Sequence, residues 1–473
     1  MLNYFPQYFT SKSISLYFIA LIASSLVYLS YTLDLVWIGF GVVEVVGFFY
    51  FSQTLTRKWS KFSPKRFVRN IFWTAFIVRV CYAVFSYFFY EYMTGKPFEF
   101  WPGDALFYDE MGRIGSSLIA KGDFNFMDQF NKYAGVTLSD SGYPLYLSFI
   151  YFITGNSILL TRIIKGLWGA WTCVLIYRLA VRNFGESVGR MAGIFAMLMP
   201  NLIMYCGIHV KEVEMVFLTV AFVERADYVL RSRKFTFVTI AVPFLLALSL
   251  FTFRTVLGAT AIFSLITALL FSSEKLLGFG QRVIVTAWLV ATVAYFIGGK
   301  IASEVEQTWL NRKKTQRTSM EWRAERVGGN KYAKAAGAAV FAPMIFIIPI
   351  PTMVHSSTQE NQMMFNGGNF VKEILAFFLL FGFVVIVMNG NWRDYTLIGA
   401  FMLGYLLVIA FSPFAQAERF HQPALPFILM FAAWGVGNVN NKVKGYFYLY
   451  MIFLVFVILF WGWFKLSGKG MIA

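Results

Sequence analysis

The stretches ISLYFIALIASSLVYLSYTL (14–33) and LVWIGFGVVEVVGFFYFSQTL (35–55), separated by Asp34 alone, decide the fold class. Each is apolar for about 20 residues, the length a helix needs at ~1.5 Å per residue to cross ~30 Å of hydrocarbon. The loop that follows carries Arg57, Lys58, Lys61, Lys65, Arg66 and Arg69 without one acid. Short loops this basic stay on the cytoplasmic side. The opening pair therefore predicts both a lipid environment and an orientation. The first block has only Lys12 before it and a second block directly after it, which reads as an uncleaved anchor rather than a signal peptide.

The whole chain repeats this pattern. Of its 473 residues 58% are hydrophobic and only 14% are charged, against roughly 25% charged in soluble domains. The formal charge of +17 raises the question of nucleic acid, but the basic residues fall between apolar blocks rather than along one polar stripe. Anionic lipid and membrane orientation explain them, and no nucleic-acid partner is expected. Cys81, Cys173 and Cys206 all lie inside apolar blocks with no CxxC spacing, so neither a disulfide framework nor a zinc site is indicated.

Working outward, a third block (70–93) exits on the outer side and opens an acidic loop (94–157) with Glu99, Asp104, Asp109, Glu110, Asp123, Asp128 and Asp140. Within it the apolar run 143–154 reaches only about 20 Å as a helix. We read it as an external interfacial helix, because counting it as a span would put Arg178 and Arg182 outside. Further blocks at 158–181, 188–206, 213–231, 235–253, 255–272, 282–298, 370–388, 395–412, 423–437 and 446–464 predict an all-α polytopic membrane protein of about thirteen transmembrane helices. Four regions result: two N-terminal helices and their basic loop (1–69), a core bearing the acidic loop (70–298), an external loop with a proline-rich re-entrant segment at 341–354 (299–369), and C-terminal helices (370–473).

Several charges are costly for such a chain. Glu44 and Arg79 fall near mid-span, where an unpaired charge costs at least ~2.5–3.5 kcal/mol, and the sequence predicts that they pair with each other. On the outer side Arg162, Lys165, Arg254, Arg419 and His421 run against the positive-inside tendency. As a group they suggest an anionic ligand such as a lipid phosphate, which guanidinium groups clamp by charge-assisted hydrogen bonds. His209 and Glu212, one turn apart, are the positions that a divalent ion would use together with a loop carboxylate.

In the acidic loop, Asp104 follows Trp101-Pro102-Gly103 and shares a helix face with Tyr108. It is either a helix N-cap or a carboxylate placed to take a proton from a substrate hydroxyl. The order of features is more specific: Arg79, GDALFYDEMG (103–112), KGDF (121–124), YPLYLSFIYFITGNS (143–157), Arg162, YRLAVRNFGESVGRMAG (177–193), Pro200, Lys211-Glu212 and AERFHQPALP (417–426). This resembles the GT-C class of membrane glycosyltransferases, in particular the family 39 group that includes protein O-mannosyltransferases and the lipid A aminoarabinose transferase. The likeness covers residues 70 to about 235 well and the rest loosely.

The resemblance implies a GT-C-like fold and transfer of a sugar from a polyprenyl-phosphate donor to a lipid, glycan or protein acceptor at the outer face, in a bacterial cytoplasmic membrane with the site facing the periplasm. Asp104 matches the catalytic base, Glu212 the acid of the second external loop, and Arg419 a donor-phosphate ligand. Ala105 stands where many relatives have a second acid, which leaves the division of roles among Asp104, Asp109 and Glu110 open. A transporter or flippase of a lipid-linked saccharide would share the hydrophobicity and the outer arginines. Such transporters usually show repeated halves, and no internal repeat is visible. An O-antigen ligase or polymerase is a further alternative.

Overall fold

A computed structural model describes residues 4–134, 138–231, 236–272, 278–297, 350–356, 359–410, 417–468 and 470–472. Among them every regular element is a helix. The first are α1 (Gln7–Val27), α2 (Leu35–Trp59), α3 (Pro64–Thr94), α4 (Gly103–Ala120), α5 (Phe126–Ala134), α6 (Leu138–Thr154) and α7 (Ile158–Phe184). Then come α8 (Glu186–Leu198), α9 (Pro200–Met204), α10 (Glu212–Arg231), α11 (Phe237–Phe253), α12 (Thr255–Phe271) and α13 (Phe279–Ile297). The C-terminal part holds α14 (Glu360–Met364), α15 (Asn366–Met388), α16 (Thr396–Ala410), α17 (Glu418–His421), α18 (Leu425–Gly437) and α19 (Asn441–Ser467). Most of the proline-rich segment predicted to re-enter lies outside the described residues.

Seven of the described helices are long and apolar enough to cross a membrane: α1, α2, α3, α7, α15, α19 and the Trp392–Ala410 unit that contains α16. The pair α8–α9, bent by 53° at Met199, makes an eighth if taken as one broken span. The chain is thus a multi-pass membrane protein. Its outer faces bear Val43, Ile77, Phe88, Leu270 and Phe456, all exposed, as expected where lipid replaces water as the solvent. Between helices, contact depends on small residues. A Cβ on Gly435 of α18 would lie 2.0 Å from the Phe378 carbonyl oxygen of α15, so the two backbones touch where only glycine fits.

The predicted pairing of Glu44 with Arg79 does not form, because each charge meets a helix end instead. Arg79 Nη2 donates to Ala196 O at 3.0 Å and Nη1 to Met197 O at 3.3 Å, carbonyls left without helical partners where α8 breaks before Pro200. Glu44 Oε2 accepts the backbone N–H of Gly368 at 2.6 Å, in the first turn of α15. A cation at a C-terminus and an anion at an N-terminus both complement the helix dipole. The break in α8–α9 and the entry of α15 thus give each group backbone partners that the bilayer could not.

Helices α7 and α10 separate two polar ends. At their C-termini, Arg182 pairs with Glu224 (2.6 Å) and Asp227 (2.9 Å), and Arg231 with Asp227 (2.9 Å) and with the Asp394 carbonyl (2.9 Å). At their N-termini lie Arg162, Lys165 and Glu212, beside the loop that carries α4.

Candidate functional site

Helix α4 starts at Gly103 without a side-chain cap, and Asp104 in its first turn is half exposed and ion-paired with Arg419 Nη1 of α17. The Phe420 ring lies near two guanidinium groups, 4.9 Å from Arg419 and 4.4 Å from Arg254, where its face favours each cation. Arg254 occupies the sharp turn between α11 and α12 and donates to the Tyr405 hydroxyl at 3.4 Å. Burial alone would lower the Arg419 guanidinium, but Glu212 and then Asp104 outweigh it and raise it. Four residues distant in sequence, Asp104, Glu212, Arg254 and Arg419, therefore share one electrostatic site.

This site borders a cavity of about 320 Å³ whose wall includes Asp104, Arg419, Glu99, Trp101, Glu418 and Asn369, near the lower end of the ~300–1,000 Å³ typical of small-molecule sites. Glu418 closes it. Its carboxylate accepts from Asn201 Nδ2 at 2.7 Å, from Gln422 Nε2 and from the Tyr205 hydroxyl. Burial raises the Glu418 carboxyl, with Lys372 pulling the other way. Glu212 lines a second, water-sized space of about 10 Å³ with Arg79, Tyr205 and Gln422.

Arg162 and Lys165 take a different place from the one the sequence suggests. Both are fully buried. Arg162 Nη2 donates to the Pro97 carbonyl, and Lys165 Nζ donates to Ile208 O at 3.1 Å and to Val210 O, with Glu214 at 3.8 Å. They hold two loops against α7 rather than facing a lipid. Lys211 behaves similarly, ion-paired with Asp140 of α6 and bonded to Phe253 O at 2.9 Å.

His209 is fully buried against Tyr151 of α6, its Nε2 3.0 Å from the hydroxyl. That hydroxyl donates to Asp109 Oδ1 of α4, so Nε2 must be the protonated ring nitrogen, and Nδ1 is left with no hydrogen-bond partner. Burial, and then Lys165 and Arg162, push the His209 imidazole well below its usual range, so it is neutral. Asp109 is also paired with Arg113 at 2.9 Å. Tyr108 is buried, its ring packed edge-on to Tyr143 at 4.9 Å, Glu110 is exposed away from the site, and His421 is buried on α17. Among the described residues no three His, Cys, Asp or Glu side chains converge on a metal-sized site, so His209 and Glu212 do not assemble the predicted ligand set there.

Sequence reasoning passed over Glu99, Trp101, Glu418 and Tyr205. Glu418 adjoins Arg419 in the quoted AERFHQPALP, and Glu99 and Trp101 precede Asp104 in the same loop, so proximity to the chosen residues was their only local signal. No family model, no curated protein and no solved structure matches this chain.

Proposed function

We propose that this chain is a GT-C-type membrane glycosyltransferase of about thirteen spans, lying in a bacterial cytoplasmic membrane with its site towards the periplasm. It would move a sugar from a polyprenyl-phosphate donor to an acceptor hydroxyl at the outer face. The observation that carries the reading is the Asp104–Arg419 ion pair at the cavity wall, beside Arg254 and Glu212. It joins a carboxylate in the external loop to an arginine more than 300 residues later, the two groups that the reaction needs next to each other.

In this reading the acceptor oxygen forms a bond to the anomeric carbon as the bond from that carbon to the phosphate oxygen breaks. The acceptor proton passes to Asp104, and Arg419 and Arg254 stabilise charge growing on the lipid phosphate. Without donor, Arg419 occupies one Asp104 oxygen. A donor phosphate competes for the same guanidinium, and its arrival would release a carboxylate oxygen for the acceptor. Donor binding then precedes acceptor activation. Lys165, Arg162 and Lys211 serve this site by fixing the loops.

The test is incubation of the purified protein with polyprenyl-phosphate sugars radiolabelled in the sugar, together with hydroxyl acceptors, to ask whether label leaves the lipid. Label appearing in acceptor at a rate that depends on Asp104 supports the proposal. Movement of intact labelled lipid across proteoliposomes without release supports a flippase instead.

A further inference from the structure

The turn that leads into α4 has a bulky residue where the backbone resists one. Trp101 has φ +56°, a left-handed conformation that is unusual for a residue with a large side chain and disfavoured again by the proline after it. The strain, of order 1–3 kcal/mol, is held by α14 from both sides. Trp101 Nε1 donates to Glu360 Oε2 at 3.0 Å, and Asn361 Nδ2 donates to the Phe100 carbonyl at 2.7 Å. Phe100 itself is anchored against Trp37 and Tyr90. With its indole nitrogen thus occupied, the ring is nevertheless 69% exposed, and it lines the 320 Å³ cavity.

Two residues earlier, Glu99 lines the same cavity and is more than nine-tenths buried. Its Oε2 has no hydrogen-bond partner. A buried carboxylate oxygen without a donor is costly, and it matches a ligand that brings an O–H group. The lining also holds three amides, Asn361, Gln362 and Asn369, beside the charged Asp104, Glu418 and Arg419, and amides both donate and accept. An exposed indole face next to amides and one orphan acceptor suits a ring with C–H groups on one face and hydroxyls around its edge, because those C–H hydrogens meet the negative face of the aromatic quadrupole.

We propose that this cavity is a subsite for one neutral saccharide ring, with Trp101 as the stacking wall and Glu99 Oε2 accepting a ring hydroxyl. The inference rests on the transferase reading in taking that ring to be the sugar moved. The clamp from α14 sets the tilt of the indole and so selects among ring stereochemistries. The volume admits a saccharide ring.

The experiment measures saturation transfer by NMR from the full-length protein in detergent to free neutral hexoses and pentoses, alongside label release from the lipid-linked donor by the same preparations. Saturable transfer to ring C–H protons is expected for at least one sugar. It should weaken about tenfold or more in Trp101→Ala, survive within about threefold in Trp101→Phe, and weaken in Glu99→Gln. Trp101 is largely exposed, and Trp101→Phe controls for loss of the fold. Absence of saturable binding by every sugar, or binding indifferent to Trp101→Ala, overturns the subsite. Label release with an unchanged Michaelis constant for the donor in Trp101→Ala overturns the subsite while leaving the transferase standing. Trp101-dependent binding without label release keeps the subsite and removes the transferase.

Discussion

The two ends of α7 and α10 solve the same problem in opposite ways. At the Arg182 end cations meet acids: Glu224 has Arg182 at 2.6 Å and Arg225 at 3.1 Å, and Asp227 has Arg182 and Arg231 at 2.9 Å. At the Arg162 end Arg162 and Lys165 hold loop carbonyls, Lys165 also faces Glu214 at 3.8 Å, and the acids Glu99 and Glu212 border cavities. A closed network of opposite charges stabilises and does little else. The other end, where Glu99 and Glu212 border cavities, is the one placed to receive something.

The sharpest way to break that contrast is to remove one acid from each end. Asp104→Asn should lower label transfer by roughly 10²–10⁴-fold, the usual scale of general-base assistance, with no change in melting temperature beyond a degree or two. Asp227→Asn should do the reverse. Breaking a buried pair by removing one partner costs about 3–5 kcal/mol, visible as a lowered midpoint in a thermal scan in detergent, with transfer per folded molecule unchanged. Equal effects of the two substitutions on both readouts would erase the distinction.

A second expectation concerns charges that belong to neither end. Because Arg79 faces carbonyls at a helix C-terminus and Glu44 faces an N–H at an N-terminus, exchanging them as Glu44→Arg with Arg79→Glu should be no better tolerated than either single change. Membrane yields by fluorescence size-exclusion would show it. Recovery of yield in the double variant would mean that the two charges see each other after all.

Smaller effects refine the open end. Arg419→Ala removes a charge-assisted contact worth roughly 1.5–3 kcal/mol, so the Michaelis constant for the lipid-linked donor should rise about 10- to 100-fold, more than the turnover number falls. Added inorganic phosphate should compete with donor in the parent protein and compete less in the variant.

His209 gives the mildest signal. Its pKa lies below that of the unfolded chain, so between the two values the unfolded state binds more protons. Its contribution to stability is complete above about pH 6.5 and declines as pH falls, with a slope of up to ~1.4 kcal/mol per pH unit. Thermal midpoints from pH 7.5 to 5 should therefore drop less steeply in His209→Gln than in the parent.

Hydropathy made the helices and the two-ended distribution of charge legible, because crossing hydrocarbon is a demand on each segment alone: enough apolar residues in a row, with basic residues left on one side. The seven described spans and the Arg182–Arg231 cluster follow from it, and so does the placing of Asp104 between spans rather than within one. Partner choice is not local. Glu44 and Arg79 share a depth, and sequence reasoning paired them. The broken end of α8 and the first turn of α15 offered each a nearer and better-oriented dipole. Arg162 and Lys165 stood out as exposed cations only until the loops at Pro97 and Ile208–Val210 folded onto them.

The site divides the same way. Asp104 and Arg419 were nameable one at a time, from residue type and flanking pattern. That they touch, that Phe420 lies near both Arg419 and Arg254, and that Glu99 and Trp101 border the same cavity depended on bringing α4, α12, α14 and α17 together. The sequence by itself determined the solvent, the helices and the chemistry on offer, through properties each segment carries alone. Which charges hold the fold and which border the cavity was settled by helix packing, because it depends on distances between residues hundreds of positions apart.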